Sequence, residues 1–145
     1  MQPNLNLTIP LSDISPDAQP LIRAYRKAEN EGTTSNNVET LRELYTRAAV
    51  KYGVKSPNVI TEDFICPVEE GEIILRSYRA PDLGDKVTDA LIYFHGGGWT
   101  AGGLESHTAN CQFLANEAKV TVIAVEYRLA PEFKFPIPLE DCIAA

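Results

Sequence analysis

Two short apolar runs, Ala90 to Phe94 and Val120 to Val125, bracket a stretch whose apolar residues Cys111, Leu114, Ala115 and Ala118 recur at helical spacing. Continuous apolar runs of this kind suit strands buried on both faces, and the stretch between them holds a crossover helix with Ser106 as its expected cap. Strand, helix and strand in that order form a right-handed βαβ unit, which commits the chain to an α/β fold with a mostly parallel sheet. Upstream, Val59 to Cys66 and Glu72 to Tyr78, joined through Glu69-Glu70-Gly71, read as an antiparallel hairpin. Earlier still the period is helical. Ser15-Pro16-Asp17 is a helix start followed by Ala18, Leu21, Ile22 and Tyr25; Asn37 opens a second helix with the stripe Val38, Leu41, Leu44, Tyr45, Ala48 and Tyr52, stopped by Gly53. The change of period near residue 55 predicts a helical segment over 1–54 and an α/β domain over 55–145. The two helices need a surface to cover, and the expectation is that they cap a pocket mouth.

Composition narrows the partners. The 145 residues are 44% hydrophobic and carry a net charge of -7 spread along the chain, so a globular core is affordable and nucleic acid or anionic lipid is disfavoured. No apolar run approaches the roughly 20 residues that span a bilayer, and the start MQPNLNLTIP has no basic and then hydrophobic signal pattern, which predicts no stable membrane insertion and a cytoplasmic location. Cys66, Cys111 and Cys142 lack C-x-x-C spacing and suit reduced thiols rather than a disulfide framework or a zinc site, and the two histidines in the chain add nothing metal-like.

Directly behind the first apolar run comes His95-Gly96-Gly97-Gly98-Trp99, at the carboxyl end of a parallel strand where open α/β sheets place ligands. Three bare residues allow close approach and turn successive N–H groups toward one point, a cradle for a negative oxygen. A P-loop needs lysine and then Ser or Thr after its last glycine, whereas Gly98 is followed by Trp99. The dinucleotide fingerprint is met only in its relaxed form by Gly96, Gly98 and Ala101, with no helix beginning there. His95 to Gly98 match letter for letter the HGGG type of oxyanion loop.

Further on stand Glu126-Tyr127-Arg128-Leu129-Ala130-Pro131-Glu132, then Phe135-Pro136 and Leu139-Glu140-Asp141. Together with HGGGW, these resemble the YRLAPE and FP…LED segments of the hormone-sensitive-lipase family of α/β-hydrolase esterases, from about Thr61 to the end of the chain. The resemblance implies a serine hydrolase acting on small-molecule carboxylic esters, typically with short or medium acyl chains, without metal or cofactor.

On this reading the Gly97 and Gly98 amides are the oxyanion donors, Gly96 supplies backbone freedom, and His95 supports the loop or is simply a satisfied core histidine. His95 is not expected to be the general base, which in this fold follows the nucleophile and the acid in chain order. Arg128 is expected to pair with Glu132; Asp141 either joins them or is a solvated helix residue, and Trp99 and Tyr127 line a pocket or merely pack. The nucleophile is missing: none of Ser12, Ser15, Ser35, Ser56, Ser77 and Ser106 lies in G-x-S-x-G, and Gly98-Trp99-Thr100-Ala101-Gly102 is a decoy, since Thr100 would attack a carbonyl held by its own neighbours. The expectation is therefore the N-terminal half of an esterase, cut before the nucleophile strand, without its triad and inactive alone, with self-association through an exposed sheet edge. The alternative is a non-catalytic anion-binding module or a remnant that pairs with a separate C-terminal half.

Overall fold

A computed structural model describes residues 9–30, 37–53, 56 and 58–145. The chain divides into two compact units, 1–36 and 37–145. In the first, a 3-10 turn at Leu11–Asp13 precedes helix α1, Gln19–Asn30. That helix starts later than Ser15-Pro16-Asp17 suggests: the Ser15 carbonyl accepts from the Ala18 and Gln19 amides, and the Gln19 side chain donates to Ile14 O.

The second unit runs α2 (Val38–Tyr52), β1 (Ile60–Val68), β2 (Gly71–Arg79), β3 (Ala90–Phe94), α3 (Leu104–Ala118), β4 (Thr121–Val125) and α4 (Ile137–Ala144). The sheet order is β1-β2-β4-β3. Among the described residues only β3 and β4 pair in parallel, Ala90 opposite Thr121 through Phe94 opposite Val125. The other two pairings are antiparallel, so the expected mostly parallel character is confined to the βαβ unit. The reason is local: the two residues between Val68 and Gly71, with Glu70 at φ 58°, leave room only for a hairpin, and β2 carries that hairpin onto β4.

Alternation along the strands sorts the core to two faces. On one, Tyr78, Val122 and Ala124 meet Leu104, Cys111 and Ala115 of α3, with Leu91 and Tyr93 beside them. On the other, Ile73, Val125 and Tyr127 meet Cys142 of α4. Ala90, Ile92 and Phe94, on the opposite face of β3 from Leu91 and Tyr93, remain exposed.

Helix α2 lies on α3, with Gly53 so close that a Cβ there would stand 2.8 Å from the Ala109 methyl. Asn37 caps α2 as expected, its side chain accepting from the Glu39 amide. The helix turns Val38, Arg42, Tyr45 and Ala49 inward, whereas Leu41, Leu44 and Tyr52 of the expected stripe are exposed. Helix α3 also departs from expectation. It begins at Leu104 with Gly103 as the cap position, and Ser106 lies inside it, donating back to Gly103 O at 3.0 Å. The carboxylate of Glu126, at the end of β4, replaces the expected serine cap by accepting from the Leu104 amide at 2.5 Å.

The amino ends of β3 and β4 are stitched by polar side chains. Arg79 donates to Gly84 O at 3.0 Å and to the Thr121 hydroxyl at 2.7 Å; Thr88 and Thr121 share a 2.9 Å bond, and Lys119 meets Asp82 at 2.7 Å.

Candidate active-site loop at the carboxyl ends of β3 and β4

The segment leaving β3 turns every carbonyl from His95 to Thr100 onto a donor. The Tyr127 hydroxyl donates to His95 O, and His95 Nδ1 donates to Gly96 O at 3.0 Å. Gly97 O accepts from the Thr100 and Ala101 amides at 3.2 and 3.0 Å, and Gly98 O accepts from the Thr100 hydroxyl at 3.2 Å. Trp99 O accepts from the Ala130 amide at 2.8 Å, and Thr100 O from Arg42 Nε at 2.8 Å. Among the described residues the Gly97 and Gly98 amides meet no acceptor. With its carbonyls tied, the loop leaves the Gly97 and Gly98 N–H groups unengaged.

Glycine is required at Gly97, where φ is 135° and a Cβ would fall 1.9 Å from Ala101 O, and at Gly102, where it would fall 2.3 Å from Gly96 O. Gly96 is different. Its φ is not positive and a Cβ would meet only the Tyr45 hydroxyl at 4.0 Å, so the conformational freedom expected of Gly96 is used at Gly97 and Gly98 instead.

Beneath the loop, His95 is buried and stacks on Tyr127 with ring centroids 4.1 Å apart. The His107 ring lies 5.5 Å from that of His95, and Trp99 lies 5.3 Å from Tyr127. Donation to Gly96 O places the His95 proton on Nδ1; the buried Nε2 has no partner among the described residues. Burial holds the His95 pKa below its ordinary value, and burial together with the neighbouring His95 does the same for His107. Burial raises Glu126, against the pull of the Leu104 amide, and pushes the Tyr127 hydroxyl up to about 12. The Cys111 thiol is pushed up to about 12 by burial, the opposite of an activated thiolate.

The charged pairs differ from those expected. Arg128 closes on Asp141, and Glu132 turns away to Arg42 of α2, which binds it through both terminal nitrogens. The cause is direction: Asp141 is buried on the inner face of α4, facing the strand end, while Glu132 stands outside it. Arg42 and Glu126 were not legible as site-forming residues. The available signals were an arginine aligned with Val38 and Tyr45 on one helix face, and a carboxylate set directly behind an apolar strand.

Beside the loop, Trp99, Ala130, Phe135, Pro138 and Leu139 line an apolar cavity of about 340 Å³. Among the described residues no His, Cys, Asp and Glu cluster is arranged to hold a metal, and no helix is long and apolar enough to cross a membrane.

Residues 91–145, which contain this loop, match the family model described as an alpha/beta hydrolase fold. An arylesterase of Saccharolobus solfataricus is 31% identical over 132 residues, covering 91% of this chain and 42% of that protein. An ethyl acetate hydrolase of Pseudomonas putida is 36% identical over 109 residues, covering 74% and 34%. Among solved structures, an arylesterase superposes with a TM-score of 0.76 at 31% identity over 88% of this chain and 41% of that one. An ester hydrolase from the metagenome of Lake Arreo gives 0.76 at 30% identity over 89% and 42%. The chain thus spans less than half the length of each of these proteins. The fold, the HGGGW loop on β3 and the segment that braces it from β4 place the chain in the hormone-sensitive-lipase-like family of the α/β-hydrolase fold.

Proposed function

We propose that this chain supplies the oxyanion-binding part of a serine carboxylic-ester hydrolase. The observation that carries the reading is the run of engaged carbonyls from His95 to Thr100 beside the unengaged amides of Gly97 and Gly98. When an ester carbonyl is attacked its oxygen becomes an anion, and donors already aimed at it stabilise the charge without reorganising, by ~3 to 4 kcal/mol per donor. In this assignment Gly97 and Gly98 donate, His95 and Tyr127 hold the loop, and the cavity beside Trp99 receives an apolar part of the ester. The nucleophile, base and acid come from residues outside these 145, because no serine here has the elbow pattern and Thr100 spends its hydroxyl on Gly98 O. The substrate class is a small-molecule carboxylic ester, and the 145 residues alone are inactive.

The test supplies a C-terminal half from an arylesterase relative bearing Ser, Asp and His, and follows hydrolysis of a short-chain aryl ester. Hydrolysis is expected only when both halves are present. Replacing the Gly98 amide by an ester linkage deletes the N–H without disturbing φ, and kcat is expected to fall by ~10² or more. Thr100→Val is expected to remain active. An inactive Thr100→Val with an unaffected Gly98 variant overturns the assignment. Measurable affinity of the isolated chain for acetate or phosphate, without reconstituted hydrolysis, favours an anion-binding module instead.

A further inference from the structure

Arg42, on an element outside the βαβ unit, makes four hydrogen bonds that reach both the glycine loop and the segment behind β4. Its Nε donates to Thr100 O at 2.8 Å and one terminal nitrogen to Ala130 O at 2.9 Å, while both terminal nitrogens hold the Glu132 carboxylate at 3.0 and 2.7 Å. Thr100 belongs to the loop behind β3, and Ala130 and Glu132 to the segment behind β4. The amide of the same residue, Ala130, donates to Trp99 O. The two segments are therefore joined once directly and once through the guanidinium.

We propose that Arg42 is a positioning residue that sets the orientation of the Gly96–Thr100 loop, so that α2 governs the geometry of the candidate oxyanion site. The proposal rests on the function assigned above for its catalytic consequence, though not for the clamp itself. Magnitude argues against a mainly stabilising role. The Arg42 and Glu132 side chains are 31% and 54% exposed, and ion pairs so placed add little to stability. Geometry argues for a positioning one. A planar guanidinium has donors fixed in separate directions, and here they address two carbonyls and a carboxylate at once; a lysine ammonium has no such fork. Glu132 orients the plane from outside. Thr100 O is also the last in the run of engaged carbonyls, and release of its peptide frees the turn in which the Thr100 and Ala101 amides bond to Gly97 O.

The test is hydrogen exchange, resolved by residue, on the intact chain and its Arg42→Gln, Arg42→Lys and Glu132→Gln variants. The Thr100, Ala101 and Ala130 amides are expected to exchange on the order of tenfold faster in Arg42→Gln, with the amides between β2 and β4 unchanged. Lysine is expected not to restore protection. Glu132→Gln, which leaves both carbonyl bonds available, is expected to stay within about threefold of the native protein. Unchanged exchange in Arg42→Gln overturns the proposal, as does equal acceleration across the sheet, which would mark a global loss of stability. In the reconstituted enzyme, Arg42→Gln is expected to lower kcat about tenfold with KM within about twofold. Faster loop exchange with undiminished kcat would keep the clamp and overturn the oxyanion assignment. Unchanged exchange with an inactive Gly98 ester variant would do the reverse.

Discussion

Arg128 and Asp141 form a closed pair in which the carboxylate accepts from the guanidinium at 2.7 and 2.9 Å and from the Arg128 amide at 2.9 Å. Asp141 is fully buried, and Arg128 also reaches Glu69 O at the hairpin turn, so one carboxylate holds α4, the end of β4 and the β1–β2 turn together. Burial alone would raise the Asp141 pKa, but the hydrogen bonds and charge of Arg128 outweigh it and hold it below the ordinary 3.8. A lowered carboxyl pKa contributes stability that is present above the unfolded value and lost as pH falls through the folded one. Asp141→Ala is expected to cost about 3 kcal/mol in urea denaturation at neutral pH, since it strands a half-buried guanidinium. Asp141→Asn should also flatten the stability profile below 3.8, and an unaltered acid limb would count against this account.

The histidines set a second, milder pH dependence. His95 and His107 both have pKa values lowered from 6.5, so the unfolded chain binds more protons just below that pH and stability falls as pH drops through 6.5. Glu126 works in the opposite sense: its pKa is raised from 4.5, and its contribution fades as pH rises above that value. Denaturation midpoints measured between pH 7.5 and 5 should decline in the native chain, decline less in His107→Gln and decline more in Glu126→Gln.

Glycines in the loop divide by what surrounds them. Gly102→Ala drives a methyl to 2.5 Å from His95 Nδ1 at a φ of 95°, and is expected to destabilise by about 3 kcal/mol. Gly96→Ala meets nothing nearer than 4.0 Å and should lie within about 1 kcal/mol of the native chain. Thermal unfolding of the two variants decides the point, and equal losses would mean that the loop tolerates no side chain for reasons other than space.

Among the described residues strand β3 bonds only to β4, and its Ile92 and Phe94 side chains are 42% and 47% exposed on one face. An open strand with an apolar flank favours pairing with another copy. Sedimentation velocity should show concentration-dependent association of the 145-residue chain, reduced by Ile92→Lys. A monomer across the accessible concentration range would contradict it.

The hairpin and the βαβ unit were legible because their signals are local: apolar runs, a two-residue turn between Val68 and Gly71, and a helical repeat through Cys111 and Ala115. The HGGG loop was legible as a motif. What the sequence concealed depends on direction in space. Arg128 has Glu132 four residues away and Asp141 much further along, yet chooses Asp141 because α4 folds back toward the strand end. Ser106 carries a capping residue's chemistry, but Glu126 reaches the Leu104 amide from β4, a contact invisible to any local rule. The inward face of α2 was misread for a similar reason. Arg42 finds two carbonyls and a carboxylate across the fold, and those bonds accompany a rotation that leaves Leu41 and Leu44 toward water.

Because β3 and β4 run in parallel and in register, the glycine loop and the segment 126–132 leave from one rim of the sheet, while Arg79, Thr88 and Thr121 lock the other. Phe135 and Leu139, which line the cavity beside Trp99, make no bond among the described residues that holds either strand, unlike Arg79, Thr88 and Thr121 at the far end. A library confined to Phe135 and Leu139 should yield many folded variants, whereas the same diversity introduced at Arg79 and Thr121 should yield mostly unfolded ones.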